Sequence, residues 1–105
     1  MIDLFEIYIL LKYIIMMNKY LVEFLGTFLL VFVVLTTGNY LAIGAALAFA
    51  VLLGGHISGG AFNPAVALSL MMSGKLSSSD IIPYILAEIA GGIFAVELLK
   101  TKRRM

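Results

Sequence analysis

The sequence predicts an all-α membrane protein with three transmembrane helices and one re-entrant half-helix. Three observations predict it. Of the 105 residues, 63% are hydrophobic and only 12% charged, with a mean hydropathy of +1.12, a composition suited to lipid rather than water. No formally charged side chain occurs between Glu23 and Lys75. Within that run, His56-Ile57-Ser58-Gly59-Gly60-Ala61-Phe62-Asn63-Pro64-Ala65-Val66 is full of groups that break regular structure. Lipid offers no partners to free backbone N–H and C=O groups. Irregular backbone at membrane depth is therefore tolerated only where protein covers it or where it lines a water-filled cavity.

Residues 1–18 are apolar but carry Asp3, Glu6 and Lys12. The uncharged piece from Tyr13 to Asn18 is too short to span, and no small-residue cleavage site follows it. This segment is read as an N-terminal extension or interfacial segment. The other reading is an extra span, which would reverse the topology. The first span runs from Tyr20 to Thr36, closed by the turn signal Thr36-Thr37-Gly38-Asn39. The second runs from Tyr40 to about Gly55, with Gly44 and Ala48 as a small-xxx-small face for close packing.

Pro64 lacks an N–H and biases Asn63 out of the helical region. Asn is a preferred helix cap and Pro suits the first helical position, so a helix starts at Pro64. It ends near Ser73-Gly74. From Pro64 to Met72 it measures roughly 13 Å, against the roughly 30 Å of a full span. Its positive N-terminal end then lies near the midplane, beside the Asn63 side chain. Lys75 to Asp80 is a polar linker, in which Ser79 or Asp80 caps the third span, Ile81 to Leu99. Pro83 fits the first turn of that span. Residues 100–105 form a basic tail with Lys100, Lys102, Arg103 and Arg104.

Several function classes are disfavoured. A net charge of +1 gives no case for nucleic acid. With one His and no Cys, a metal site is not expected, disulfides are excluded and no cofactor is implied. No nucleophile–base pair is visible, so the chain is not read as an enzyme. Glu23 and Glu88 lie within apolar helices, which is costly and makes each a candidate site residue. Both begin a Glu-x-x-Gly pattern, Glu23 to Gly26 and Glu88 to Gly91.

From about Lys19 to Leu99 the chain resembles the N-terminal half-repeat of the major intrinsic proteins, the aquaporins and glycerol facilitators. The resemblance rests on Leu21-Val22-Glu23-Phe24-Leu25-Gly26-Thr27-Phe28, on His56 to Leu68 around Asn63-Pro64-Ala65, and on Tyr84-Ile85-Leu86-Ala87-Glu88-Ile89-Ala90-Gly91-Gly92. It implies a pore wall of Asn63, Pro64, Ala65, Gly59, Gly60, Ala61, Ile43 and His56. In it Asn63 donates to the permeant, and the carbonyls of Gly59 to Ala61 accept. His56, placed with this set, is read as a residue that fixes the loop. Glu23 is implied to satisfy the N–H groups of the irregular loop. Glu88 stands where the family usually has Gln, and a carboxylate there must be paired or protonated. Ile43 takes a helix-two position that contributes to the narrow filter, where an aliphatic side chain gives a more apolar constriction.

The family is built from two inverted repeats, and this chain shows one, with no second Asn-Pro-Ala and no filter Arg. Val66 stands in that place. The function implied is a membrane channel for water or small neutral solutes that conducts only as an assembly of half-channels, in a homo-oligomer or with other channel subunits. The alternative is a non-conducting truncated member or membrane interaction partner. Lys12, Lys19 and Lys75 on one side face Lys100, Lys102, Arg103 and Arg104 on the other. The flanks are nearly balanced, so the positive-inside rule fixes no orientation, and opposed copies can rebuild the inverted pair.

Overall fold

A computed structural model describes residues 1–104, with side chains described for all of these except residues 15–17 and 104. Met105, the last residue of the basic tail, lies outside the described residues. The order is α1 (Leu4–Thr37), α2 (Tyr40–Ser58), α3 (Pro64–Met72), a single 3-10 turn (Ser78–Asp80) and α4 (Ile81–Arg104). Three helical stretches, Leu4–Thr37, Tyr40–Ser58 and Ser78–Arg103, are long and apolar enough to cross a membrane. The chain is thus an all-α, multi-pass integral membrane protein.

α1 is the hub, with α2 and α4 packed on it and α3 resting on α4. α1 and α4 run in the same direction. Tyr20 meets Tyr84 edge-on at 5.8 Å near one end, and Phe28 meets Phe94 at 5.3 Å further along. Close approach is possible because Gly91 lies against α1. A Cβ there would overlap the Phe24 carbonyl and the Phe28 N–H. α2 returns antiparallel after the left-handed Gly38 (φ 56) and the Asn39 cap, whose side chain accepts from the Ala42 N–H.

The structure departs from the sequence expectations in four places. The first helix begins at Leu4 rather than Tyr20, so residues 4–18 are helical and continuous with α1. The physical reason is local: Asp3 caps the Glu6 N–H at 2.8 Å, and no Gly or Pro interrupts the chain before Gly26. α2 extends to Ser58, past Gly55, because the glycines at its end pack instead of stopping it. A Cβ at Gly54 would lie 2.5 Å from Val22 Cγ1. The small residues that meet α1 are Ala46, Ala50, Gly54 and Ser58. Gly44 has open space around it and Ala48 is exposed. Finally, Ser77 caps the 3-10 turn, accepting from the Ser79 N–H at 3.4 Å. Asp80 is buried and turned toward α1, so neither Ser79 nor Asp80 is the cap the sequence suggests.

Candidate functional site

The irregular stretch between α2 and α3 contains three residues in the left-handed region. Gly59 (φ 90) and Gly60 (φ 68) adopt left-handed conformations that glycine takes without strain. Phe62 (φ 53) takes one that a bulky residue rarely adopts. Phe62 is held there by packing. Its ring is 1% exposed and occupies the space a side chain at Gly26 would need, with Gly60 and Gly54 close by.

The polar groups of this turn are collected by one buried side chain. Glu23, 0% exposed, accepts from Ser58 Oγ at 2.6 Å and the Ala61 N–H at 3.2 Å through one oxygen, and from the Phe62 N–H at 2.8 Å through the other. Ser58 Oγ in turn accepts from the Gly60 N–H at 3.1 Å. Tyr84 of α4 donates its hydroxyl to the Ser58 carbonyl at 2.7 Å. Below it, Tyr20 Oη and Lys19 Nζ each lie 2.8 Å from an Asp80 oxygen. A continuous polar and aromatic column thus runs from the Lys19–Asp80 ion pair through Tyr20, Tyr84 and Ser58 to Glu23. An unpaired N–H in apolar surroundings costs about 1–3 kcal/mol. Satisfying two backbone N–H groups with one acceptor is therefore what lets the chain leave the helix here.

Asn63 caps α3 with its side-chain oxygen, which accepts from the Ala65 N–H at 2.7 Å. That orientation leaves the amide nitrogen as a donor on an exposed residue. Pro64, Ala65 and Gly59 are also exposed, Gly60 is half-buried, and Ala61 is buried with its N–H on Glu23. His56 is exposed on the last turn of α2 and makes no side-chain hydrogen bond among the described residues. Ser58 and Tyr84 hold the loop through the Gly60 N–H and the Ser58 carbonyl. Ile43 is half-buried and lies thirteen residues before His56 on α2, roughly 20 Å along the axis.

Glu88 is 1% exposed. It faces the Glu23 carboxylate and the Asn63 backbone N–H, yet neither of its oxygens completes a hydrogen bond. Thr27 Oγ1, one turn along α1 from Glu23, is likewise buried without a partner. Among the described residues, no group of three or more His, Cys, Asp or Glu is placed to hold a metal ion.

Sequence reasoning missed Phe62, Ser58 and the Tyr84–Tyr20–Asp80 column. Tyr84 could have been found, since it lies four residues before Glu88 and so shares its helix face. Phe62 carries no such signal, because an apolar residue in an apolar run looks like its neighbours.

Three apolar helices, a short capped helix and a buried carboxylate serving its entry turn define a membrane protein built around one irregular loop. The family model described as Major intrinsic protein matches residues 10–104, and the chain belongs to that family. It is 45% identical over 94 residues to a glycerol uptake facilitator protein-like 6 of Lactiplantibacillus plantarum, an alignment covering 81% of this chain and 44% of that protein. It is 38% identical over 99 residues to an Aquaporin Z of Photorhabdus laumondii, covering 80% of this chain and 43% of the relative. It is 43% identical over 99 residues to an Aquaporin Z of Brucella melitensis, with the same coverages of 80% and 43%. The chain therefore spans less than half the length of these relatives. No solved structure matches it.

Proposed function

We propose that the chain is one half of a channel for water or small neutral solutes, and that it conducts as an assembly of half-channels. The observation that carries this reading is the division of labour at Asn63. Its oxygen caps α3 while its amide nitrogen stays available on an exposed face. Glu88, toward which the Asn63 N–H lies, is seven residues into α4 from Ile81, about 10 Å past the Asp80 edge. Asn63 thus sits well inside the apolar layer, and α3, nine residues long, acts as a re-entrant half-helix. The helix dipole points its positive end at the permeant, which orients water oxygen and repels cations. Gly59 to Ala61 line the approach with carbonyl acceptors, Pro64 and Ala65 form the wall at the turn, and His56 stands at the rim. Ile43 contributes an apolar constriction toward the Tyr40 end.

The assembly is a homo-oligomer or an association with other channel subunits. Its rationale is the open side of α3, which packs on α4 and leaves Asn63, Val66 and Leu68 exposed. A polar helix end at that depth needs protein or a water-filled cavity against it, and a second half-channel supplies both. The structural core is residues 19–99, with residues 1–18 as a helical extension and the tail from Lys100 outside the pore. The reading is of a channel, not an enzyme.

Osmotic shrinkage of liposomes containing the purified protein, beside empty liposomes and Asn63→Asp, tests it. Fast shrinkage altered by the substitution supports the pore. Shrinkage no faster than in empty liposomes overturns it in favour of a non-conducting membrane partner.

A further inference from the structure

The two ends of the helix bundle carry unequal charge. Because α1 and α4 run the same way, Lys19, Lys75 and Asp80 lie at one end, together with Asp3, Glu6 and Lys12 of the α1 extension. Three lysines meet three carboxylates there, a net charge of zero. The other end is formed by the α1–α2 turn and the end of α4. It carries Lys100, Lys102, Arg103 and Arg104 against Glu97 alone, a net of 4 − 1 = +3. The turn from Thr37 to Tyr40 adds no charge.

The cations at the two ends are also differently engaged. Lys19 is tied to Asp80 at 2.8 Å, with their side chains only 22% and 8% exposed. Lys100 reaches Glu97 at 3.5 Å, with both side chains more than half exposed, a pair that water and salt screen strongly. Lys102 and Arg103 are exposed and make no ion pair among the described residues.

Their placement is set by helix geometry. Ile81 to Leu99 measures roughly 28 Å, close to the hydrocarbon thickness of a bilayer. Lys100 is then the first residue in the headgroup layer. α4 continues to Arg104, so the cations are fixed on about one more turn of helix rather than on a loose tail. At 100° per residue, Lys102 and Arg103 point about 200° and 300° around the axis from Lys100. The three cations therefore share one broad side of the helix, an arc of about 160°. The exposed Tyr40 ring stands at the same level, a typical position for an interfacial aromatic.

We propose that this end of the bundle is a binding surface for anionic phospholipid headgroups, whose phosphates gather along the cationic side formed by Lys100, Lys102 and Arg103. A broad, exposed cationic side recruits several anionic lipids instead of a single lipid in a pocket. The inference is independent of conduction. It is also compatible with either orientation of insertion, because insertion follows Lys and Arg counts rather than net charge.

The chain has no cysteine, so one introduced thiol can be labelled without ambiguity. The full chain carrying a fluorophore at Leu41→Cys, at the basic end, is compared with one labelled at Ser78→Cys, at the opposite end. Both are reconstituted in phosphatidylcholine vesicles containing a small fraction of spin-labelled phosphatidylglycerol or, in parallel, spin-labelled phosphatidylcholine. The ratio of quenching by the two lipids reports local enrichment. A juxtamembrane cation raises the local anionic lipid about fivefold. The Leu41 probe is therefore expected to show enrichment of several-fold or more, and the Ser78 probe a ratio near unity. High salt, or the pair Lys102→Gln and Arg103→Gln, should bring the Leu41 ratio down several-fold, toward unity. Equal ratios at the two ends, or a Leu41 ratio indifferent to the double substitution, overturns the proposal. Both substituted residues are exposed, and helix content by circular dichroism confirms that the variant is folded before its ratio is read.

Discussion

Replacing Glu23 by Gln removes one acceptor oxygen and puts a donor in its place without changing shape. Glu23 accepts three hydrogen bonds, two at one oxygen (Ser58 Oγ and the Ala61 N–H) and one at the other (the Phe62 N–H). The amide's best orientation keeps its oxygen on the first pair and turns its NH2 group against the Phe62 N–H, donor facing donor. One buried N–H then lacks a partner, at about 1–3 kcal/mol, and two charge-assisted bonds become neutral ones, each weaker by about 1 kcal/mol. The expected loss is about 3–5 kcal/mol, a large share of the stability of a small domain. The assay is a denaturing-detergent titration of the micelle-solubilised protein followed by circular dichroism, with amide exchange at Phe62 as the local readout. If Glu23→Gln unfolds at the parental midpoint and Phe62 keeps its protection, the account of how the chain leaves the helix at Ser58 is refuted.

Glu88 gives the opposite expectation. Both its oxygens are buried without a partner and face the Glu23 carboxylate, so Glu88→Met, which keeps the volume and removes the polar atoms, should stabilise the fold by about 1–3 kcal/mol in the same titration. Gly91→Ala should destabilise by about 1–3 kcal/mol, because its Cβ meets the α1 backbone at Phe24 and Phe28. Gly44→Ala, in open space, should be neutral or stabilising by up to about 1 kcal/mol. Equal effects of these two substitutions would contradict the α1–α4 packing. Tyr84→Phe removes the hydroxyl that holds the Ser58 carbonyl. It should cost about 1 kcal/mol and speed amide exchange at Gly60 and Ala61, with α1 protection unchanged.

The elements most legible in the sequence were those in which one strong local rule acts alone. α3 runs from Pro64 to Met72 as expected, because Asn-Pro supplies both a cap and a fixed φ and Ser73-Gly74 a stop. The presence of three long apolar helices followed from composition and the absence of charge. Helix ends were less legible where the same residue type has two uses. Gly38 and Gly59 end helices with a left-handed φ, whereas Gly26, Gly54 and Gly91 sit inside them and admit a neighbour. Asp80 looks like a cap by its position but is drawn to Lys19 and Tyr20, sixty or so positions away in the chain. Glu23 stood out as a carboxylate in an apolar helix. Its partners Ser58, Ala61 and Phe62, however, are set by how α1 and α2 pack, which no local pattern encodes.

The central claim, that conduction belongs to an assembly of half-channels, is tested most directly by water flux at graded protein density. Vesicles are prepared over a range of protein-to-lipid ratios, reaching down to about one chain per vesicle. If two chains are needed for a pore, osmotic permeability per chain should fall toward that of bare lipid as the protein is diluted, and total flux should rise more steeply than linearly. Permeability per chain that stays constant down to single-chain vesicles would show that one copy conducts by itself and would contradict the account.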